Sequence, residues 1–169
     1  MDGEWLEQRA LRYAARWESS AASLRSLLER KIFERCDRTG ESPDTALERI
    51  PATVAGLIER GYVDDHRFAA QALDRLRRQG RSTAQIYARL RAKGISKSLL
   101  DDLLAQEDSD TESRAAWQFA RRRRLGPYCK DPQQRRRARD RHLAALGRQG
   151  FELQTALRIV DADTPPECL

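Results

Sequence analysis

Apolar residues along this chain recur every three or four positions, with charged residues between them, over nearly its whole length. That spacing is the signature of amphipathic helices, and no stretch alternates apolar and polar residues for long enough to suggest a strand. The first helical segment covers about residues 3–17. Ser19-Ser20 then offers an N-cap, and Leu24, Leu27, Leu28 and Ile32 follow on one stripe. The stretch "CDRTGESPD" reads as a polar loop. A third helix begins near Asp44 and carries Leu47, Ile50, Val54, Leu57 and Ile58. Pro51 lies inside that pattern and predicts a kink or a restart, because proline lacks the N–H that the helix ladder needs.

The next stretch, "ERGYVDDHRFAAQAL", contains the signals for a helix end, a turn and a new start. Gly61 ends the third helix, Tyr62 or Val63 folds back onto it, and Asp64 or Asp65 caps the fourth helix. An acid there also suits the positive end of the helix dipole. Phe68, Ala69, Ala72, Leu73 and Leu76 form the next stripe, which Gly80 ends. Ser82 caps a helix with Ile86 and Leu90. Gly94 ends that one, and Ser96 caps another with Leu99, Leu100, Leu103 and Leu104. Ala116, Trp117, Phe119 and Ala120 mark a further helix, and "LGPYCKDP" breaks the chain. Residues 134–148 read as one helix with Leu143 and Leu146. Gly150-Phe151 is a turn before the last stripe, Leu153, Ala156, Leu157, Ile159 and Val160. "DADTPPECL" reads as a frayed tail.

The segment "LRAKGISKSLLDDLL" is not unique. Shifted by 56 positions, Leu90 falls on Leu146, Gly94 on Gly150, Ile95 on Phe151, Leu103 on Ile159 and Leu104 on Val160. Shifted back by 62, Ile86 and Leu90 fall on Leu24 and Leu28, with Ser82 near Ser19-Ser20. The fold expected is therefore all-α, with three tandem three-helix, helix-turn-helix-like repeats. They cover about residues 3–60, 65–106 and 111–161, and the third carries a basic, insertion-like stretch at 121–141. A period near 50 residues indicates a tandem array whose small units depend on their neighbours. The array is expected to be elongated and curved. A helix-turn-helix repressor instead has one reading helix and a dimer interface matched to operator symmetry. Here the turn recurs along one chain and no dimerisation segment is apparent, so a monomer is expected.

Charged residues make up 34% of the chain, which leaves only narrow apolar stripes and small cores. No apolar run approaches membrane-spanning length, and the acidic N-terminus is not a secretory signal. Cys36, Cys129 and Cys168 are far apart and without metal or redox spacing, as expected of reduced thiols in a cytoplasmic protein. The distribution of charge changes the picture more than its total of +6. Residues 114–148 carry a net +10, whereas residues 99–113 hold six acids and no base. A basic C-terminal third behind an acidic joint points to an anionic partner, either nucleic acid or an acidic protein groove.

No catalytic constellation is present. His66 and His142 stand alone, with no nucleophile pattern attached. Asp64-Asp65 could be a metal pair, but helix capping accounts for both acids without a metal. There is no phosphate-binding glycine loop, and Asp101-Asp102 read as a solvated helix face. The expectation is a binding protein with no cofactor, not an enzyme. Its candidate contacts are basic. Arg67, Arg75 and Arg78, with Gln71, fall along one helix side. Arg81 starts the next segment, where Gln85, Arg89 and Lys93 make a second ridge; an ordinary solvated surface is the competing reading for both ridges. Arg121, Arg122, Arg123 and Arg124, with Arg135, Arg136, Arg137, Arg139 and Arg141, form a denser group that repels itself and is stabilised by an anionic partner. Tyr87 and Tyr128 could stack on bases or pack internally.

Three stretches also carry a family resemblance: "ALRYAARWESSAASLRSLLERK", "ERGYVDDHRFAAQALDRLRRQGRSTAQIYARLRAKGIS" and "LGRQGFELQTALRIV". Together they resemble the RecX family, regulators of the bacterial recombinase RecA, over roughly residues 10–160. The sharpest part is Gly61-Tyr62-Val63-Asp64-Asp65 with Phe68-Ala69, Gly80 and Lys93-Gly94-Ile95-Ser96. The resemblance implies three tandem three-helix repeats lying in the helical groove of the RecA nucleoprotein filament. It also implies modulation, usually inhibition, of strand exchange, ATP hydrolysis and co-protease activity in DNA repair and the SOS response. The Pro/Arg-rich stretch 121–141 departs from the family pattern. Read from the residues alone, a basic helical protein that binds single- or double-stranded DNA, such as a transcription regulator, is the alternative.

A tandem array has a measurable consequence. Small-angle scattering should give a radius of gyration well above the compact value of about 15 Å for a chain of this length. A compact value would exclude the array.

Overall fold

The computed structural model describes residues 3–167. Among these the secondary structure is entirely helical: α1 (Gly3–Ala14), α2 (Ala21–Thr39), α3 (Asp44–Glu59), α4 (Asp65–Arg78), α5 (Thr83–Ala92), α6 (Lys97–Ala105), α7 (Thr111–Arg123), α8 (Pro132–Arg137), α9 (Arg139–Arg148) and α10 (Leu153–Val160), with a 3-10 turn at Gly126–Tyr128. The all-α class expected from the periodicity is the class observed. No described helix is long and apolar enough to cross a membrane. Cys36 and Cys129 are free thiols, and Cys168 lies outside the described residues.

The chain divides into two compact units, Met1–Ala70 with Arg91–Lys97, and Gln71–Leu90 with Ser98–Leu169. In the first unit α1, α2 and α3 pack pairwise. Their stripes close a core of Leu6, Ala10, Leu24, Leu28, Ile32, Ile50, Val54 and Leu57. Each large aliphatic there is worth about 1.5–3 kcal/mol by removal from water. Val63 folds back into this core while Tyr62 stays exposed. Both donate their backbone N–H to the Leu57 carbonyl.

The start of α2 is fixed by several contacts at once. The Ser20 hydroxyl oxygen accepts the Ser23 N–H at 3.1 Å and caps the helix. The same hydroxyl donates to the Lys93 carbonyl at 2.5 Å. The Ala21 N–H donates to Asp65 Oδ1 at 2.8 Å. Next to Lys93, Gly94 has φ +78°, and a Cβ there would overlap that of Ala22.

In the second unit α7, α9 and α10 pack pairwise around Ala116, Phe119, Leu146, Phe151 and Ile159. The start of α5 is fixed as α2 is. The Ser82 oxygen accepts the Gln85 N–H at 3.2 Å, and its hydroxyl donates to the Gln149 carbonyl. The Thr83 N–H donates to the Glu112 carboxylate at 2.9 Å. Gly150 has φ +84°, and a Cβ there would lie 2.8 Å from that of Ala84. The serines and alanines of the two arrangements are 62 positions apart, and the glycines 56.

Arg77 organises the same unit. Only 10% of its side chain is exposed, and it donates to Glu107 and Glu112 at 2.6 Å each, to the Thr83 hydroxyl at 2.7 Å and to the Arg81 carbonyl at 3.1 Å. Burial opposes its charge, but the bonds to Glu107 and Glu112 outweigh burial and raise its pKa.

Several boundaries differ from the sequence reading. The first helix ends at Ala14, not near residue 17. Helix α2 runs on to Thr39, through half of the expected loop. Nothing before Gly40 breaks it, and the Arg38 and Thr39 side chains bond back to the carbonyls of Glu34 and Arg35. Helix α3 passes Pro51 without a restart. The ring is exposed, so water can meet the carbonyl it leaves without a partner. The expected helix 134–148 is two helices. Asp131 caps α8 two residues early by accepting the Gln133 and Gln134 N–H groups, and Ala138, at φ −96° and ψ 5°, separates α8 from α9.

The Gly94 geometry generates a test. Gly94→Ala should cost about 1 kcal/mol for its left-handed backbone, and a further 1–3 kcal/mol for the overlap with Ala22. Equilibrium unfolding in urea measures both, because Ala22→Gly in the same chain should recover the second part alone.

Candidate functional site

The candidate basic residues fall in both units, and the structure sorts them. In the first unit Arg67 is engaged: its Nε donates to Glu18 at 2.9 Å and its guanidinium reaches the Gly61 carbonyl. The Lys93 side chain is exposed. Neither acid of the Asp64-Asp65 pair is a spare ligand. Asp64 accepts the Arg67 N–H at 2.9 Å, which with a second backbone bond from His66 holds its pKa low, and Asp65 caps α2.

In the second unit, Arg81, Arg89, Arg122 and Arg123 come together. Burial lowers the Arg81 pKa, and the positive charges of Arg89, Arg122 and Arg123 lower it further. Arg81 reaches Gln85 and Gln149 with one terminal nitrogen, while its Nε is buried without a hydrogen-bond partner. Arg122 donates to the carbonyls of Gln79 and Arg78 at 3.0 and 2.9 Å and so closes the end of α4. Arg89 and Arg123 are exposed. Arg81 thus sits in the field of three other guanidinium groups, and no ion pair with an acid is formed by any of the four among the described residues. Such a cluster lowers its own repulsion by holding an anion.

The other arginines divide in the same way. Arg78 pairs with Asp74 at 2.7 Å in full solvent, where such a pair is worth little. Arg135 turns inward and donates to the Val160 and Ala162 carbonyls at 3.1 and 2.5 Å. Arg139 grips Asp161 with two bonds of 2.7 and 2.6 Å. Arg75, Arg121, Arg124, Arg136, Arg137 and Arg141 point to solvent. Arg124 also ends α7 at φ +55°, a left-handed conformation uncommon outside glycine. Tyr128 packs edge-on against Trp117 at 6.3 Å, and burial raises its pKa. Tyr87 is half-buried and lines an open hollow with Ala84 and Thr155.

Sequence reasoning missed Arg77, Glu107 and Glu112. A signal existed: Arg77 sits four positions after Leu73 and eight after Ala69, at the edge of an apolar stripe. An arginine there must find acids as it is buried.

The helices and their outward arginines define a basic, all-helical protein. A scan against models of known protein families finds no match. Individual relatives are clear. The chain is 33% identical over 160 residues to Regulatory protein RecX of Myxococcus xanthus (strain DK1622), covering 94% of this chain and 86% of that protein. It is 30% identical over 132 residues to Regulatory protein RecX of Trichlorobacter lovleyi, covering 76% and 78%. It is 31% identical over 117 residues to that of Escherichia coli (strain SE11), covering 69% of each. The chain belongs to the RecX family of regulatory proteins.

His142 gives the second unit a pH response. It is buried, its Nδ1 accepts the Gly126 N–H at 3.2 Å, and burial, then Arg141 and Arg135, lower its pKa below 6.5. The folded state therefore binds its proton less readily than the unfolded chain, whose histidine titrates near 6.5. Stability should be full above that pH and should fall as pH drops through about 6.5 toward the lower folded value. Urea midpoints at about pH 7.5 and pH 5.5 should show this loss. His142→Asn, which keeps an acceptor but does not titrate, should flatten the dependence; an unchanged slope would contradict the assignment.

Proposed function

We propose that this chain is a non-enzymatic regulator that binds the RecA nucleoprotein filament and modulates, mostly by inhibiting, its recombinase, ATPase and co-protease activities in DNA repair and the SOS response. One observation carries the reading: a chain of the RecX family presents arginines that its own fold does not neutralise. Arg81 feels the positive charges of Arg89, Arg122 and Arg123, of which Arg122 also holds two backbone carbonyls, and Arg75, Arg121, Arg124, Arg136, Arg137 and Arg141 add outward charge. Arg67, Arg78, Arg135 and Lys93 complete the proposed contact set, but Arg67 and Arg135 also serve the fold. The protein acts as a cytoplasmic monomer, in this reading, without a cofactor.

The outward arginines favour one second reading, direct binding of single- or double-stranded DNA as a basic helical protein or transcription regulator. Phosphate contacts would then dominate, and affinity would fall steeply with salt.

Titrating the protein into RecA, single-stranded DNA and ATP separates the two. A filament regulator suppresses ATP hydrolysis well below the amount that saturates the naked DNA. A DNA competitor suppresses it only when the DNA is covered. Reversing Arg121, Arg123 and Arg124 to Glu should leave the fold intact and raise the concentration needed for suppression at least tenfold. Suppression at wild-type concentrations would remove these residues from the interface.

A further inference from the structure

The first unit has a basic groove of its own. Two adjoining hollows of about 320 and 330 Å³ share Tyr13 and Leu27. Their walls include Arg9, Arg12 and Arg16 from α1 and the turn after it, Arg30 and Lys31 from α2, and Lys93. No aspartate or glutamate lines either hollow. Arg30 and Lys31 share Glu34, but Arg9, Arg12, Arg16 and Lys93 form no ion pair among the described residues. Trp17 stands in the wall of the second hollow with 63% of its surface exposed.

Each feature alone is ordinary in a soluble protein. A lone exposed aromatic is common, and a basic helix face is usually just solvated. Their combination is more selective. Arg9 and Arg12, three positions apart on α1, and Arg16 from the turn after it line one hollow, a span of about two or three stacked nucleotides. Trp17 follows the last of them and offers a flat π face. Only an unpaired base can use that face, because a paired base is already stacked within its duplex.

We infer that the α1–α2 groove binds a single-stranded nucleic acid, with Trp17 stacking on a base while Arg9, Arg12, Arg16 and Lys93 hold its phosphates. This goes beyond the proposed RecA interaction, and its residues, Lys93 apart, are separate from the arginines assigned to that role. An acidic polypeptide would satisfy the cations but has no base for Trp17. An anionic lipid surface would receive the ring as an interfacial anchor.

The test uses the full chain and anisotropy of a fluorescein-labelled oligothymidylate of about 15 nucleotides. Trp17→Ala should weaken binding about five- to 150-fold, the range for losing one aromatic stacking contact. Trp17→Phe should keep most of the affinity, and Arg12→Glu with Arg16→Glu should make the salt dependence shallower. Trp17→Ala should not change binding to polyglutamate or to vesicles of mixed phosphatidylcholine and phosphatidylglycerol. Wild-type oligonucleotide affinity in Trp17→Ala would overturn the proposal. So would an equal loss for polyglutamate, which would mark an acidic-peptide groove, or for the vesicles, which would mark a membrane contact.

Discussion

A serine hydroxyl that must satisfy both its donor and its acceptor holds each unit together. Ser20 and Ser82 are fully buried. Each accepts the backbone N–H of a residue three positions on, and so starts a helix. Each also donates to the carbonyl just before a left-handed glycine that is distant in sequence. A buried hydroxyl without partners costs about 1–3 kcal/mol, so helix start and glycine turn are bound to a single geometry. Small residues are required for the approach: Ala22 faces Gly94, and Ala84 faces Gly150. A carboxylate on the next N–H, Asp65 or Glu112, completes the arrangement and matches the positive helix end.

Around these fixed points the chain must place many cations. It does so by giving its arginines two different tasks. Arg77, Arg122, Arg135 and Arg139 bond within the fold, onto carboxylates or backbone carbonyls near helix ends. The fold needs these four to have a planar, multiply donating head, which lysine lacks. Others stay in solvent, and at Arg81 burial and then the positive charges of Arg89, Arg122 and Arg123 lower the pKa. A negatively charged partner, as proposed for the chain, would relieve that charge.

Much of this was legible in the sequence because it rests on local rules. The helical period gave the fold class. Ser19-Ser20 and Ser82 were readable as caps, Asp64 or Asp65 as a cap, Tyr62 or Val63 as a residue folding back, and Gly94 and Gly150 as turn glycines. What was not legible depends on contacts between distant segments. Nothing local shows that Asp65 caps α2 rather than α4, or that Ser20 meets Lys93. Of the two outcomes expected at Pro51, the restart does not occur, because the cost of an interrupted helix ladder depends on solvent access. The split at Ala138 was missed because the early cap at Asp131 and the burial of Ala138 act against a continuous helical pattern. In the arginine-rich stretches, periodicity cannot tell Arg122 and Arg135 from Arg121 and Arg136. Only the carbonyls they reach separate them.

That division between inward and outward arginines is the central claim, and equilibrium unfolding in urea tests it most directly. Two triple variants are compared with the parent chain: Arg77, Arg122 and Arg135 changed to Gln, and Arg121, Arg123 and Arg136 changed to Gln. The two remove the same charge. The first should lose at least about 3 kcal/mol, because it leaves Glu107 and Glu112 without their buried partner. The second should stay within about 0.5 kcal/mol per site, as exposed substitutions do. Equal losses, or a larger loss in the second variant, would contradict the account.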